Sequence, residues 1–311
     1  MLATVLSIVV PVFGLIALGV IGGRSRLFPE IAVNGLNNFV LYVAVPALLF
    51  RTIVRTQPLE NLNLDVAYAY YLGSFVMLIA AMLLGRGAFG LRDGEQASFA
   101  MGAMFANTSL LGIPIIFATF GEEGLVPLMV IITFHSLVFS TIFFTLHDLG
   151  KAGAVGWAGT ARLAGISVVT NPVIIAVAIG FVWSMLDLGL PGPISTIVDM
   201  LADATIPAAL FALGAVLARF RIAGNIPQAS VMAAAKLIVH PLVVFMVAHY
   251  LFGLSDLELA VVSITAALPG GLMVFLIAQS YGVYVARAAS SLVIGTAGGV
   301  VTLSILLSWF T

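Results

Sequence analysis

The sequence has no cysteine and very little charge: only 8% of its 311 residues are Asp, Glu, Lys or Arg. Without cysteine there can be no disulfide, no thiolate metal ligand and no thiol nucleophile. Soluble domains carry about 25% charged residues, so this chain cannot face water over most of its surface. A net charge of −1 gives a nucleic acid nothing to hold. HExxH, GxSxG, Walker A and DDxxD-type patterns are also missing, and His135, His147, His240 and His249 fall at no ligand spacing. The sequence therefore predicts no enzyme, no metal site and no resident cofactor. Coupling to a proton or a sodium ion stays open.

What is abundant is apolar. Hydrophobic residues make up 62% of the chain, and the mean hydropathy is +1.20. A membrane-spanning helix needs ~20 apolar residues. Apolar runs fall near 2–23, 31–50, 66–85, 97–120, 124–146, 163–186, 192–218, 228–252, 257–281 and 285–310, which predicts ten spans with short loops. The first run is too long for the apolar core of a secretory leader and reads as a retained span. With the N-terminus outside, the inner loops hold Arg24, Arg26, Arg86, Arg92, Lys151, Arg162, Arg219, Arg221 and Arg287, against Arg51 and Arg55 outside. Basic residues concentrate on the cytoplasmic side, so both termini are expected outside the cell membrane.

The chain also repeats itself at an offset of 161 residues. Pro11-Val12 matches Pro172-Val173, and Ala17 and Gly19 match Ala178 and Gly180. Val45-Pro46-Ala47-Leu48-Leu49-Phe50 matches Ile206-Pro207-Ala208-Ala209-Leu210-Phe211, and Phe120-Gly121 matches Tyr281-Gly282. Residues 1–150 and 151–311 then form two halves of five spans each. An odd number of spans turns the second half upside down. Inverted repeats of this kind are a common transporter design, because exchanging the conformations of the halves switches the side to which a central site opens.

Corresponding spans of the two halves carry breaks. Span four reads Ala106-Asn107-Thr108-Ser109-Leu110-Leu111-Gly112-Ile113-Pro114, and span nine reads Ala267-Leu268-Pro269-Gly270-Gly271-Leu272. Proline removes an amide donor, and glycine lets the chain leave helical geometry. Unwound backbone is tolerated at membrane depth only where protein or a water-filled cavity satisfies it. Half-helix N-termini offer free amides and partial positive charge, which suit a carboxylate. The expected substrate-binding residues are Asn107, Thr108, Ser109, Pro269, Gly270 and Gly271, with Gly112, Pro114 and Pro269 as hinges. A plain proline kink in each span is the bland alternative.

Ionisable residues inside spans are functional candidates by default. His135, in Thr133-Phe134-His135-Ser136, reads equally as a ligand or proton carrier for an anionic substrate and as a neutral ring bonded to a neighbouring helix. Asp203 and Lys236 read as a buried pair or an ion-coupling site, with Asp199 on the same face as Asp203. His240-Pro241 reads as a local kink, and His249 as an interfacial residue.

At these residues the chain resembles the auxin efflux carrier superfamily, which includes plant PIN carriers and bacterial organic-acid permeases. The most specific matches are Ala106-Asn107-Thr108…Gly112-Ile113-Pro114 and Ala267-Leu268-Pro269…Phe275. Phe39…Val45-Pro46-Ala47-Leu48 and Asn171-Pro172 add support. The resemblance implies an all-α fold of ten transmembrane helices with a 5+5 inverted repeat, like that of PIN carriers and bile-acid symporters. It implies a scaffold of spans one, two, six and seven, and a transport domain of spans three to five and eight to ten. Spans four and nine would cross in the transport domain, an elevator movement would carry the substrate, and the scaffold would make a homodimer. Asn107 matches the family's substrate-contacting asparagine. His135 stands where plant members carry glutamine, which favours a small organic anion other than auxin. Two rival readings share the architecture: a sodium-coupled symporter of the bile-acid type, and a channel or sensor that carries nothing.

Overall fold

A computed structural model describes residues 2–56, 62–148, 166 and 170–310. Lys151 and Arg162, two of the basic residues used for orientation, lie outside the described residues. The described chain is helical almost throughout. The helices are α1 (Leu2–Arg24), α2 (Glu30–Thr56), α3 (Asp65–Phe89), α4 (Asp93–Gly102), α5 (Ile113–Asp148) and α6 (Pro172–Met185). They continue with α7 (Gly192–Leu217), α8 (Ile226–Phe252), α9 (Asp256–Ala267), α10 (Leu272–Tyr281) and α11 (Val285–Phe310). Among the described residues, seven helices are long and apolar enough to cross a membrane. The protein is a multi-pass membrane protein.

Lipid is no better a solvent for one apolar face than another, so helices associate where small residues let backbones approach. The α1–α7 contact shows this directly. A Cβ on Gly19 would lie 2.2 Å from the carbonyl oxygen of Phe211, and one on Gly214 would lie 2.0 Å from that of Ile16. Likewise α2 packs on α6, α3 on α8, and α8 on α11. Buried apolar residues form two clusters. One joins α1, α2, α6 and α7 to the facing sides of α5 and α9, and includes Val12, Leu48, Val177 and Leu210. The other joins α3, α4, α8 and α10 and includes Tyr70, Phe99, Met232 and Val244.

Spans four and five, expected as separate helices, both fall within the range of α5, but helical geometry is interrupted between them at Gly121, with φ 65° and ψ −152°. Only glycine adopts that conformation without strain, so α5 is two helical segments that meet at a kink. One sequence expectation needs correction. The hinge was expected at Gly112 and Pro114, but span four is unwound upstream, at residues 103–107 between α4 and a π-helical turn, Thr108–Gly112. Pro114 sits in the first turn of α5, where its missing amide costs nothing.

Candidate functional site

The break between α4 and α5 and the break between α9 and α10 meet face to face. Ala106 pairs with Gly270 in an isolated antiparallel bridge. The Asn107 amide donates to the Pro269 carbonyl at 3.0 Å, and the Gly271 amide donates to the Phe105 carbonyl at 3.1 Å. Each break thus satisfies part of the other's freed backbone, as a low-dielectric surrounding requires. The local sequence explains both departures. Proline disfavours helical geometry at the residue before it, and Leu268 is extended at φ −59° and ψ 145°. Gly271 permits the crossing, since a Cβ there would lie 2.6 Å from the Phe105 ring and 3.0 Å from the Ala106 oxygen.

Asn107 organises the start of the next helix. Its Oδ1 accepts from the Leu110 amide at 3.3 Å, capping the π turn, and its carbonyl accepts from the Gly112 amide at 3.0 Å. Capping by Asn satisfies a donor that the helix start would otherwise leave open. The Nδ2 amide of Asn107 makes no hydrogen bond among the described residues, although the residue is 7% exposed. Thr108 is buried beside it, while Ser109 and Gly270 are half-buried and Pro269 is buried. The six residues expected at the crossover, Asn107, Thr108, Ser109, Pro269, Gly270 and Gly271, are therefore brought together.

His135 reaches the same place from α5. Its Nε2 lies 3.1 Å from the carbonyl oxygen of Ala106, in the break itself. A carbonyl only accepts, so Nε2 is the donor in this contact; Nδ1 is buried with no partner. The ring packs against Phe105 and Phe139 at centroid distances of 4.6 and 4.9 Å. Of the two readings of His135, the contact seen is with backbone.

The expected pair of Asp203 and Lys236 does not form. Asp203 bonds Arg51 Nη1 at 2.7 Å, and its side chain is 73% exposed. Arg55 holds Asp199 with Nη2 at 2.7 and 2.9 Å. Glu122, next to the bend in α5, lies 3.3 Å from Arg51 and 3.6 Å from Arg55. The cluster draws on α2, α5 and α7, and it buries Arg51 to 5% exposure. Arg51 and Arg55 are four residues apart, as are Asp199 and Asp203. Two complementary stripes of that spacing were the sequence signal that would have found this cluster.

Lys236, 1% exposed, lies instead at the end of α9. Its ammonium donates to the carbonyl of Ala266 and lies 3.2 Å from His240 Nδ1. His240 was expected to be only a kink, but its Nε2 meets Ser74 Oγ at 2.9 Å and its Nδ1 lies 3.1 Å from the Ala266 oxygen. Gln279 is exposed, and His249 stacks on Phe245 near the end of α8. Among the described residues, no three of His, Cys, Asp and Glu gather as they would around a metal.

Comparison with known proteins finds a match to the family described as "Membrane transport protein" over residues 4–155 and 160–307. A protein of Rhizobium meliloti named "Putative malonate transporter" is 29% identical, over 98% of this chain and 96% of its own length. Auxin efflux carrier component 8 of Arabidopsis thaliana is 24% identical over 90% of each chain. The uncharacterized transporter YfdV of Escherichia coli is 25% identical over 97% of this chain and 96% of its own.

Proposed function

The chain belongs to the membrane transport protein family, that of the auxin efflux carriers, and from that premise we propose that it carries a small organic anion, a carboxylate, across the cell membrane by an elevator-type alternating-access movement. Its relatives are named as transporters and none of those cited as an enzyme. The observation that carries the proposal is the mutual crossing of two unwound segments, with the starts of α5 and α10 on either side. Their first amides have no partner within the helix and carry partial positive charge, which favours a carboxylate. Asn107 Nδ2 adds a side-chain donor. Thr108, Ser109, Gly270 and the Pro269 turn complete the proposed site, and His135 positions it from behind by fixing the Ala106 carbonyl.

The proposed architecture is ten spans in a 5+5 inverted repeat, residues 1–150 and 151–311. Two features support it. Under the offset of 161, span one corresponds to six and span two to seven; α1 packs on α7 and α2 on α6, contacts that the repeat exchanges. Gly121 and Gly282 stand at that offset, with φ of 65° and 66°. In this reading α1, α2, α6 and α7 are the scaffold, which also makes the homodimer, and the remaining helices move. The Arg51 and Arg55 contacts to Glu122 then join scaffold to moving domain and must release as it travels. The termini lie outside, by the distribution of basic residues.

The test is flux in proteoliposomes loaded with malonate and related small mono- and dicarboxylates, comparing the native chain with Asn107→Ala. We expect saturable flux of at least one carboxylate, and its loss in Asn107→Ala while the variant still folds and inserts. Unchanged flux in the variant would reject the site. Conduction far faster than carrier turnover, or binding with no flux, would favour the channel or sensor reading.

A further inference from the structure

A helix ends with carbonyl groups that its own amides do not satisfy, and they carry partial negative charge. Buried at mid-membrane depth, such an end is a place where a monovalent cation is stabilised. The end of α9 is of this kind. Beyond Ala267 the chain turns away at Leu268-Pro269, and Pro269 has no amide to offer. The carbonyl of Ala266 is left to side chains from α8, and Lys236 and His240 occupy it.

Lys236 is unusual in its company. A fully buried ammonium in hydrocarbon is costly and is normally matched by a carboxylate. Among the described residues no carboxylate comes within ion-pair distance of Lys236, although Arg51, Arg55, Arg219 and Arg287 each have one. The titratable groups around it are His240 on its own helix, whose far nitrogen meets Ser74 on α3, Tyr70, whose ring lies 6.0 Å from that of His240, and His135, whose ring lies 5.8 Å from that of Tyr70. None of these is an anion. What holds the Lys236 amino group is the carbonyl end of the half-helix, and His240 Nδ1 lies 3.2 Å from the same nitrogen. An amino group held by the carbonyl end of a helix stands where a monovalent cation would be stabilised.

We propose that the carbonyl end of α9 is a monovalent-cation site which this chain fills permanently with the ammonium of Lys236, so that carriage needs no sodium or potassium at the crossover. The inference rests on the carrier reading only in calling this cation the coupling ion. Occupancy of the site by Lys236 is a separate property, and it can be measured without any transported substrate. It also sets this chain apart from a sodium-coupled symporter: a tethered cation travels with the moving domain and is never released.

The experiment reads thermal unfolding of the purified full-length protein in sodium, potassium, methylammonium or choline chloride at one ionic strength. The native chain should melt at the same temperature, within about 1 °C, in all four. Lys236→Ala should melt lower in choline. Methylammonium or sodium should raise it saturably by ~3 °C or more, as expected when a ligand binds only the folded state. Lys236→Met keeps the apolar stem of the side chain and fills the space; it should fold, melt below the native chain, and ignore all four cations. A saturable sodium response in the native chain would overturn the proposal. So would a Lys236→Ala protein that folds but responds to no small cation, or a Lys236→Met protein that melts with the native chain. Should Lys236→Ala not accumulate, the native and Lys236→Met titrations decide. Absence of carboxylate flux alongside the expected melting pattern would reject the carrier reading and leave the cation assignment standing.

Discussion

The two breaks touch each other, but they bring different chemistry to the point of contact. The first is followed by Asn107, Thr108 and Ser109, three side chains that can donate and accept hydrogen bonds. The second is Leu268-Pro269-Gly270-Gly271, which offers only backbone. Their carbonyl partners differ as well. The carbonyl of Ala106, inside the first break, is met by the His135 ring, and that of Ala266, in the last turn of α9, by the Lys236 side chain. A division of labour follows. The first break supplies side-chain recognition, while the second supplies close backbone approach. An anion placed between them would see polar side chains on one side and bare amides on the other.

The largest effect should come from filling the second break. In Gly271→Ala the new methyl would lie 2.6 Å from Phe105 Cε1 and 3.0 Å from the Ala106 oxygen. The ring could yield, but the carbonyl belongs to the crossing backbone. Overpacking costs roughly 1–3 kcal/mol, and relief would strain the Gly271 to Phe105 hydrogen bond that helps hold the breaks together. We expect a clear fall in melting temperature and complete loss of carboxylate flux. A folded Gly271→Ala protein with native flux would show that the second break needs no close approach.

Next in size is the loss of the His135 contact. His135→Ala would leave the Ala106 carbonyl buried without its side-chain partner, at a cost of about 1–3 kcal/mol. His135→Gln carries an amide donor of similar reach and should recover most of that stability. Its flux should differ from the native chain in substrate preference or in pH profile. Melting temperatures of the two variants, followed by competition between carboxylates in the Gln variant, would check both expectations. If His135→Ala melts with the native protein, the hydrogen bond to Ala106 contributes nothing and the two carbonyls differ more than proposed.

Much of this was legible in the sequence because its causes are local. Pro269 with Gly270 and Gly271 cannot continue a helix in any context, and Asn107-Thr108-Ser109 stands out among apolar neighbours. The exact place of the first break was not legible. Pro114 looks like a breaker, yet proline is also a good helix starter, and only the position of the preceding turn decides between them. The partners of buried charges were missed for another reason. Lys236 was expected to find a carboxylate, because a sequence displays side chains and hides main-chain acceptors; the partner it found is the carbonyl of Ala266. Asp203 found Arg51 across 152 residues of chain, a contact set by how α2 packs on α7.

The smallest effect should come from adding the same methyl just past the first break, at the end of the π-helical turn. In Gly112→Ala it would meet Leu268 Cδ1 at 2.9 Å, and otherwise only the Asn107 oxygen at 3.6 Å and Thr108 Cβ at 3.8 Å. The close contact is the far end of a flexible side chain, which can rotate aside. Alanine also suits helical backbone better than glycine by up to ~1 kcal/mol, which offsets the cost of moving Leu268. Melting should therefore stay within a few degrees of native, with flux reduced by less than tenfold, because Leu268 borders the crossing. Measured beside Gly271→Ala, this pair tests the asymmetry with one methyl group at or just past each break. Equal losses would mean that both breaks depend on tight backbone contact, and the proposed division between a recognising side and a crossing side would fail.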